Sequence, residues 1–298
     1  MPNPKIVVTG ANGQLARELK VVSSAHSDLD FIFLTREELP IHRPEIINRF
    51  FEIHQPDYCI NCAAYTAVDK AESEQELAFL INAESVGQLA GICNAFHTRF
   101  IHISTDYVFD GSSSVPLTEE SSVNPVNVYG ASKLEGEKLA LQINKEAIVI
   151  RTSWVYSEFG NNFVKTMIRL MRDRREISVV DDQIGAPTYA AYLAEAILSI
   201  IDKTESNPGN WKPGIYHYSN KGKISWYDFA VAIREMTGSP CIVHPIPTER
   251  YPTPARRPSF SLLDTKKIES GFQLPIPDWK EGLARCLRQL AVYHITPK

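Results

Sequence analysis

Tyr129 and Lys133 are the residues whose types and spacing most directly suggest chemistry in this sequence. Positions four apart on a helix share one face, so both side chains would point at one site. A tyrosine hydroxyl has a pKa of about 10, and a neighbouring ammonium lowers that pKa because it stabilises the phenolate. Such a tyrosine can protonate the alkoxide that forms when a hydride adds to a ketone. The pair therefore predicts a reductase site; a surface tyrosine and lysine on an amphipathic helix is the alternative.

Thr105 directly follows a predicted strand, 100–104, that precedes Tyr129 in the chain. The carboxyl ends of the strands in an open parallel sheet face the ligand crevice. A hydroxyl at this strand end can therefore meet a tyrosine from the following helix and hydrogen-bond the substrate oxygen. We predict that Tyr129, Lys133 and Thr105 form the catalytic set.

The segment 10–16 (GANGQLA) joins the first predicted strand, 5–9, to a predicted helix. A turn in this place binds a dinucleotide when glycines let the backbone approach the pyrophosphate at the helix N-terminus. Gly10 permits the sharp turn, and Gly13 permits the close approach of backbone N–H groups. The spacing is G-x-x-G-x-x-A and not G-x-G-x-x-G, so the position of the turn is stronger evidence than its motif.

The end of the second predicted strand, 30–35, indicates which nicotinamide cofactor binds. An acidic residue there bonds the ribose hydroxyls, whereas a basic residue accepts a 2′-phosphate. Arg36 is basic and therefore favours NADPH. Glu37 and Glu38 follow closely, so NADH stays open as the alternative.

Short β-branched runs alternate with helical patterns through the first half of the chain, which is typical of βαβ units in a parallel sheet. The predicted strands are 5–9, 30–35, 57–62, 100–104 and 147–151. We predict an α/β fold, a doubly wound Rossmann-type parallel sheet with a smaller C-terminal substrate-binding region. The dinucleotide-binding domain would comprise 1–152 with a return helix at 189–203, and 153–298 would mainly bind substrate.

Composition excludes several other classes of protein. The 298 residues are 44% apolar and carry a net charge of −4, so we expect no binding to nucleic acid or to a membrane surface. No apolar run approaches the roughly 18–20 residues that span a bilayer, and the N-terminus reads as a strand without a signal peptide. Five cysteines fit a reducing cytoplasm better than a disulfide scaffold.

Longer motifs along nearly the whole chain resemble the extended short-chain dehydrogenase/reductase superfamily and, within it, the dTDP-4-dehydrorhamnose reductase family. The segments that carry the resemblance are TGANGQLA (9–16), NCAAYTAVDKAE (61–72), HISTDYVFDG (102–111), NVYGASKLEGE (127–137), RTSWVY (151–156), GNNF (160–163), DDQIGAPT (181–188) and YPTPARRP (251–258). Of these, STDYVFDG and RTSWVY are far more specific than the Tyr–Lys spacing.

The resemblance implies NAD(P)H-dependent reduction of dTDP-4-dehydro-L-rhamnose to dTDP-L-rhamnose, the last step of dTDP-L-rhamnose synthesis. Tyr129 would be the proton donor, Lys133 its partner and a cofactor ligand, and Thr105 the hydroxyl that tunes the site. The further cofactor-binding residues that the resemblance implies are Gly13, Gln14, Leu15, Ala63, Ala64 and Tyr65. The substrate-binding residues that it implies are Thr66, Val68, Thr105, Asp106, Trp154 and, at the phosphates, Arg257.

The sequence departs from the family pattern at two places. Pro40-Ile41 stands where the family often has an Asp-Ile pair that contacts the cofactor, which puts the adenosine-side contacts in question. Some members hold magnesium between subunits through glutamates. Glu18 is retained here, but Ala191 replaces a second expected acid, so we expect no metal. The oligomeric state stays open, with a homodimer as one option.

Three alternative functions remain at this point. The same chemistry on another dTDP-4-keto-6-deoxy sugar is one, because the hydride face depends on how the sugar lies in the pocket. A non-catalytic regulatory subunit that keeps the cofactor site is another, although the whole catalytic set is retained. An epimerase or dehydratase uses the same scaffold, but a dehydratase tends to show Thr-Asp-Glu where this chain has Thr105-Asp106-Tyr107.

Overall fold

A parallel β-sheet organises residues 3–295, the part of the chain that this computed structural model describes. The strands, in chain order, are β1 (Lys5–Thr9), β2 (Asp30–Leu34), β3 (Tyr58–Asn61), β4 (Arg99–Thr105), β5 (Ile148–Thr152), β6 (Val155–Tyr156), β7 (Glu176–Val180), β8 (Ile184–Gly185), β9 (Thr188–Tyr189), β10 (Gly214–Tyr218), β11 (Ile224–Ser225) and β12 (Ile242–Ile246). The central sheet has the order β2-β1-β3-β4-β5-β10, and all its pairings are parallel. The predicted α/β fold with a doubly wound parallel sheet is confirmed.

Helices cover both faces of this sheet, as the alternating sequence pattern requires. In chain order they are α1 (Gln14–Val22), α2 (Pro44–His54), α3 (Val68–Ala71), α4 (Gln75–Phe79), α5 (Ser85–Ala95), α6 (Val128–Ile143), α7 (Phe163–Asp173), α8 (Ala190–Ser206), α9 (Trp226–Thr237), α10 (Lys266–Phe272) and α11 (Trp279–Ile295). In β1, Ile6 and Val8 point into the core shared with α1 and α8, and Val7 points into the core shared with α2 and α5. Because both faces are buried, the strand is apolar at successive positions.

Two local features differ from the sequence-based expectation. Residues 214–218, which none of the predicted strands includes, form β10, and β10 pairs with β5 at the edge of the sheet. The sequence pattern over 74–96 is typical of one helix, whereas in the structure a π-helical turn, Leu80–Glu84, separates α4 from α5. Asn82 in this turn accepts from the Tyr65 N–H at 2.8 Å and donates to the Tyr65 carbonyl at 3.0 Å. The widened turn places the amide where it can make this long-range pair.

The chain beyond β5 builds a smaller region and then returns to the sheet. A separate apolar core there joins side chains of α7, α9 and α11. The predicted return helix at 189–203 is α8, whose Leu193 and Ile197 pack in the same core as α1. The functional division at residue 152 stays a prediction. Within residues 3–295 no helix has both the length and the apolar character that crossing a membrane would need.

Candidate active site

A cavity of about 990 Å³ opens at the carboxyl edge of the central sheet. The strand order reverses between β1 and β3, and open α/β sheets bind ligands at such a switch point. All the predicted catalytic and cofactor-binding residues line this cavity. The predicted substrate-binding residues line it too, with Arg257 as the exception.

Tyr129 lies in the first turn of α6, and its position depends on a helix cap and a glycine. The Asn127 side chain caps the helix by accepting a hydrogen bond from the Gly130 N–H at 2.7 Å. A Cβ at Gly130 would lie 2.1 Å from the Tyr107 carbonyl oxygen, so only glycine allows the helix to approach so closely. This approach brings Tyr129 within hydrogen-bonding reach of the Thr105 side chain.

The phenol of Tyr129 is protonated at neutral pH. Burial raises the pKa of Tyr129 to about 12, whereas its hydrogen bond with Thr105 lowers it. We expected a neighbouring ammonium to lower this pKa, but that expectation is not met here because the Lys133 side chain is directed at other groups. A protonated phenol is the form that a proton donor requires.

Lys133 is buried on α6, and its Nζ contacts two groups on β4. It donates to the Ile103 carbonyl at 2.6 Å and lies 3.1 Å from His102 Nε2. Burial lowers the pKa of Lys133 to about 8, and the neighbouring Glu137 and Cys62 act against this shift. Lys133 can therefore gain or lose a proton close to neutral pH.

Asp106 carries a buried oxygen that meets no donor among the described residues. Its Oδ1 accepts from the Thr105 hydroxyl at 3.1 Å, but its Oδ2 has no hydrogen-bond partner there. Burial raises the pKa of Asp106 to about 6, although the neighbouring hydroxyls of Ser261 and Thr105 lower it. A buried acceptor without a donor is costly, so Asp106 offers a ligand hydroxyl a place to bind.

The turn after β1 has the geometry that phosphate binding requires. Gly10 has a φ of +68°, and a Cβ there would lie 2.8 Å from the Ala63 backbone nitrogen, so this position needs glycine. Gly13 and the first residues of α1 line the cavity, and a helix N-terminus favours an anion. Gln14 is held in place by Asn162, whose Nδ2 donates to Gln14 Oε1 at 2.8 Å.

The segment that follows β3 forms another part of the cavity wall, next to the turn after β1. Its lining residues are Cys62, Ala63, Ala64, Tyr65, Thr66 and Val68. Asn82 holds this segment through both backbone groups of Tyr65 and also donates to Ser132 Oγ at 3.0 Å. The wall is thereby tied to α6, the helix that carries Tyr129 and Lys133.

Trp154 and Trp226 form a stacked pair that lines the cavity, with ring centroids 3.7 Å apart. Trp154 has a φ of +47°, a left-handed conformation that costs free energy in a residue with a Cβ. Gly185 leaves space for the indole, because a Cβ there would lie 2.9 Å from the Trp154 ring. The stacking partner and the small neighbour together hold Trp154 in this conformation.

The two predicted arginine ligands lie in different settings. Arg36 is exposed and lines the cavity, while the nearby Glu38 carboxylate accepts from the Thr35 backbone N–H at 2.8 Å. Arg257 does not line the cavity, and its guanidinium binds the Asp69 carboxylate at 2.8 Å. The Asp69 carboxylate occupies two of the three guanidinium nitrogens, and the expected contact of Arg257 with substrate phosphates stays a prediction.

Comparison with known proteins identifies the family to which this chain belongs. A family model described as the RmlD substrate binding domain matches residues 4–292. A dTDP-4-dehydrorhamnose reductase from Burkholderia thailandensis is 41% identical over an alignment that covers 96% of this chain and 99% of that protein. The chain belongs to the dTDP-4-dehydrorhamnose reductase family.

Solved structures of dTDP-4-dehydrorhamnose reductases have the same fold as this chain over nearly its full length. The protein from Clostridium acetobutylicum has a TM-score of 0.91 at 41% identity, covering 96% of this chain and 99% of that one. The protein from Bacillus anthracis, solved in complex with NADP, has a TM-score of 0.90 at 38% identity with the same coverage.

Sequence reasoning missed several residues of this dTDP-4-dehydrorhamnose reductase site. The additional lining residues are Asn12, Glu37, Leu39, Ile41, His42, Cys62, Leu77, Leu80, Ile81, Ile103, Ser104, Tyr107, Thr152, Val155, Gly160, Asn161, Leu193 and Trp226. The GNNF segment pointed to Gly160 and Asn161, but no local pattern singles out Trp226. Within residues 3–295 no group of three or more His, Cys, Asp or Glu side chains could hold a metal ion; the expected absence of a metal stays a prediction.

Proposed function

We propose that this chain reduces the C4 ketone of dTDP-4-dehydro-L-rhamnose to give dTDP-L-rhamnose, with NADPH as the hydride donor. The observation that carries the proposal is a protonated Tyr129 phenol beside Thr105 in the cavity. Family membership supports the substrate, since relatives named dTDP-4-dehydrorhamnose reductase match almost the whole chain. The retained catalytic set argues against a non-catalytic regulatory subunit.

NADPH fits the part of the cavity that the turn after β1 forms. Its pyrophosphate would lie at the N-terminus of α1, against Gly13, Gln14 and Leu15, where the helix dipole favours an anion. The Arg36 guanidinium would donate hydrogen bonds to the 2′-phosphate, while Gly10, Ala63, Ala64 and Tyr65 would line the path of the dinucleotide. The relative from Bacillus anthracis that was solved with NADP supports this assignment. When bound, NADPH supplies the hydride.

Tyr129 supplies the proton that completes the reduction. As negative charge develops on O4 of the sugar, the Tyr129 O–H proton transfers to that oxygen and leaves a phenolate. The Thr105 hydroxyl lies beside the phenol, and it would donate to the same sugar oxygen after its hydrogen turns away from Asp106 Oδ1. Lys133, with a pKa of about 8, is mostly an ammonium at pH 7, and it would stabilise the phenolate once its Nζ turns from the Ile103 carbonyl towards Tyr129.

The sugar would lie between the Trp154–Trp226 pair and the wall formed by 66–68. The unpartnered Oδ2 of Asp106 would accept a hydroxyl of the sugar, and the indole of Trp154 would cover an apolar ring face. Thr66 and Val68 would contact the nucleotide sugar. We therefore assign residues 1–152 mainly to cofactor binding. Residues 153–298 would mainly bind the substrate, except for α8, which belongs with the cofactor-binding part.

The cellular setting is a further part of the proposal. All five cysteines are free thiols, which fits a reducing compartment, and we propose a cytoplasmic location. A homodimer is proposed as the assembly. Light scattering on a sizing column measures its mass directly, and a monomeric mass would refute it.

The decisive assay follows NADPH oxidation by its nicotinamide absorbance with dTDP-4-dehydro-L-rhamnose as substrate, and identifies the product by NMR. We expect rapid oxidation that yields dTDP-L-rhamnose. A product with the opposite configuration at C4 would assign the same chemistry to another sugar nucleotide. Absence of oxidation in a protein that still binds NADPH would overturn the assignment.

A further inference from the structure

A chain of buried hydrogen bonds runs from Lys133 through His102 and Asn61 to the end of β1. Lys133 Nζ lies 3.1 Å from His102 Nε2, and His102 Nδ1 lies 3.0 Å from Asn61 Nδ2. Asn61 Oδ1 accepts from the Thr9 hydroxyl at 2.7 Å. Thr9, Asn61 and His102 are all fully buried, so these polar groups depend on one another for partners.

The orientation of the Asn61 amide follows from a backbone group that can only donate. The Ala63 N–H points at Asn61 Oδ1 over 3.2 Å. If the amide were turned over, its NH₂ group would face this N–H, and two donors would oppose each other. Asn61 therefore directs its NH₂ group at His102 and donates to Nδ1.

The hydrogen-bonding pattern of His102 follows from that donation. Burial and the neighbouring Lys133 lower the pKa of His102 well below its usual value, so the ring is neutral. A neutral imidazole has one N–H and one acceptor nitrogen. Because Nδ1 accepts from Asn61, Nε2 carries the hydrogen and points it at Lys133. An amine can accept this hydrogen bond, whereas an ammonium has no lone pair with which to accept it.

We propose that Asn61 and His102 are positioning residues that hold the Lys133 side chain and favour its neutral amine form. Asn61 selects the His102 tautomer, and His102 donates through Nε2 to the Lys133 lone pair. Lys133 at the same time donates to the Ile103 carbonyl at 2.6 Å. This arrangement gives every polar atom of the buried chain a partner when Lys133 is an amine. The ammonium still predominates at pH 7, but it cannot accept the Nε2 hydrogen, so His102 opposes its formation.

The other groups that face Lys133 do not explain a preference for the amine. Glu137, on the same helix, and Cys62, at the end of β3, both raise the pKa of Lys133. Tyr129 is a neutral phenol. Burial outweighs these groups and lowers the pKa of Lys133 to about 8. The Nε2 hydrogen of His102 would act in the same direction as burial.

The position of this pKa matters for turnover, and here the inference rests on the proposed function. Proton donation leaves Tyr129 as a phenolate, which must regain a proton before the next cycle. A lysine on the same helix face that changes between ammonium and amine near the reaction pH can pass a proton at low cost. His102 would thus act on the reaction through Lys133 without touching substrate.

The tautomer is measured first, in the full-length protein without substrate. In ¹⁵N-histidine-labelled protein, NMR distinguishes a protonated ring nitrogen from an unprotonated one, and a His102→Phe sample identifies the His102 signals. We expect hydrogen on Nε2 in the unsubstituted protein. Hydrogen on Nδ1 would overturn the proposal whatever the activity. Reductase inactivity together with hydrogen on Nε2 would refute the proposed function alone.

The second measurement is the pH profile of turnover in Asn61→Asp. A carboxylate can only accept, so it should move the hydrogen to Nδ1 and turn Nε2 towards Lys133 as an acceptor. The ammonium form of Lys133 is then favoured, which raises its pKa. The basic limb of the pH profile should therefore move to higher pH by about one unit or more.

Asn61→Asp in a His102→Phe background is the matched control, because the new carboxylate there acts on Lys133 only through space. We expect a clearly smaller shift of the basic limb in that background. Equal shifts in both backgrounds would show that the effect of residue 61 on Lys133 does not pass through the His102 imidazole. Unfolding midpoints and NADPH affinity identify the variants that fold. If a variant does not fold, the His102 tautomer in the unsubstituted protein still decides the proposal.

Discussion

The Arg257 guanidinium and the Asp69 carboxylate form a two-pronged ion pair in which both N–O distances are 2.8 Å. Arg257 Nη1 also donates to Thr253 Oγ1 at 2.6 Å and to the Ala255 carbonyl at 2.7 Å. Asp69 lies on α3, close in sequence to the 66–68 part of the cavity wall. The ion pair therefore fastens the Pro-rich segment 247–258 beside the site.

We predict that Asp69→Asn loosens segment 247–258. An amide replaces a charge-assisted pair with a weaker contact, so trypsin should cleave after Arg250 and Arg256 about tenfold faster, the factor that about 1.4 kcal/mol represents. Limited proteolysis with mass spectrometry measures the rate. Asp173→Asn is the matched control, since that exposed carboxylate pairs with Arg172. Equal cleavage of both variants would show that the segment is held by other contacts.

Tyr129→Phe should remove the proton donor and leave the cavity shape almost unchanged. We expect kcat to fall by about 10²–10⁴-fold, while the Kd for NADPH, measured by fluorescence titration, stays the same. Tyr227→Phe, outside the cavity lining, serves as the control. Turnover close to that of the unsubstituted protein would contradict the role of Tyr129.

Asp106→Asn should stabilise the protein at high pH and impair it as an enzyme. The pKa of Asp106 is raised from 3.8 to about 6 on folding, so the folded state binds a proton more tightly than the unfolded state. This group therefore reduces stability as pH rises from about 4 to 6, and the loss persists above pH 6.

An asparagine avoids that loss because it stays neutral. The free energy of unfolding of Asp106→Asn should exceed that of the unsubstituted protein by about 1–3 kcal/mol at pH 8 and show no such gain at pH 4. Urea unfolding at both pH values tests this. The kcat/KM for the sugar nucleotide should fall, since a carboxylate acceptor is lost. A variant that is less stable at pH 8 would contradict the burial argument.

Trp226→Leu should weaken sugar binding through its effect on Trp154. Trp154 needs its stacking partner to stay in a left-handed backbone conformation, so its indole should relax away from the cavity. We expect KM for the sugar nucleotide to rise about fivefold, in line with the loss of about 1 kcal/mol of aromatic contact, with little change in KM for NADPH. Trp211→Phe, outside the cavity lining, is the control. Equal changes in both KM values would indicate general disruption.

Arg36→Ser should change cofactor preference. Removal of the guanidinium deprives a 2′-phosphate of its charged partner, which costs about 1.5–3 kcal/mol for a hydrogen bond to a charged group. KM for NADPH should therefore rise at least about tenfold while KM for NADH stays the same. Arg49→Ser, an exposed arginine outside the cavity lining, should affect neither. A parallel rise in both KM values would remove Arg36 from 2′-phosphate recognition.

Most of the site was predictable because its elements are local in sequence. The turn at Gly10 needs a positive φ, and its place between strand and helix identifies it without any distant contact. Tyr129 and Lys133 share a helix face by their spacing alone. Arg257 shows the limit of such reasoning, because a motif identifies an arginine but not the carboxylate that neutralises it.

The sequence by itself determined the order of strands and helices, the phosphate-binding turn and the spacing of the catalytic pair, since each depends on neighbouring residues. Only the tertiary structure decided the stacking of Trp226 on Trp154, the facing of His102 and Lys133, and the rise in the pKa of Tyr129. These depend on which distant segments meet and on how far water is excluded between them. Burial and partner choice are properties of packing, and local sequence patterns do not encode them.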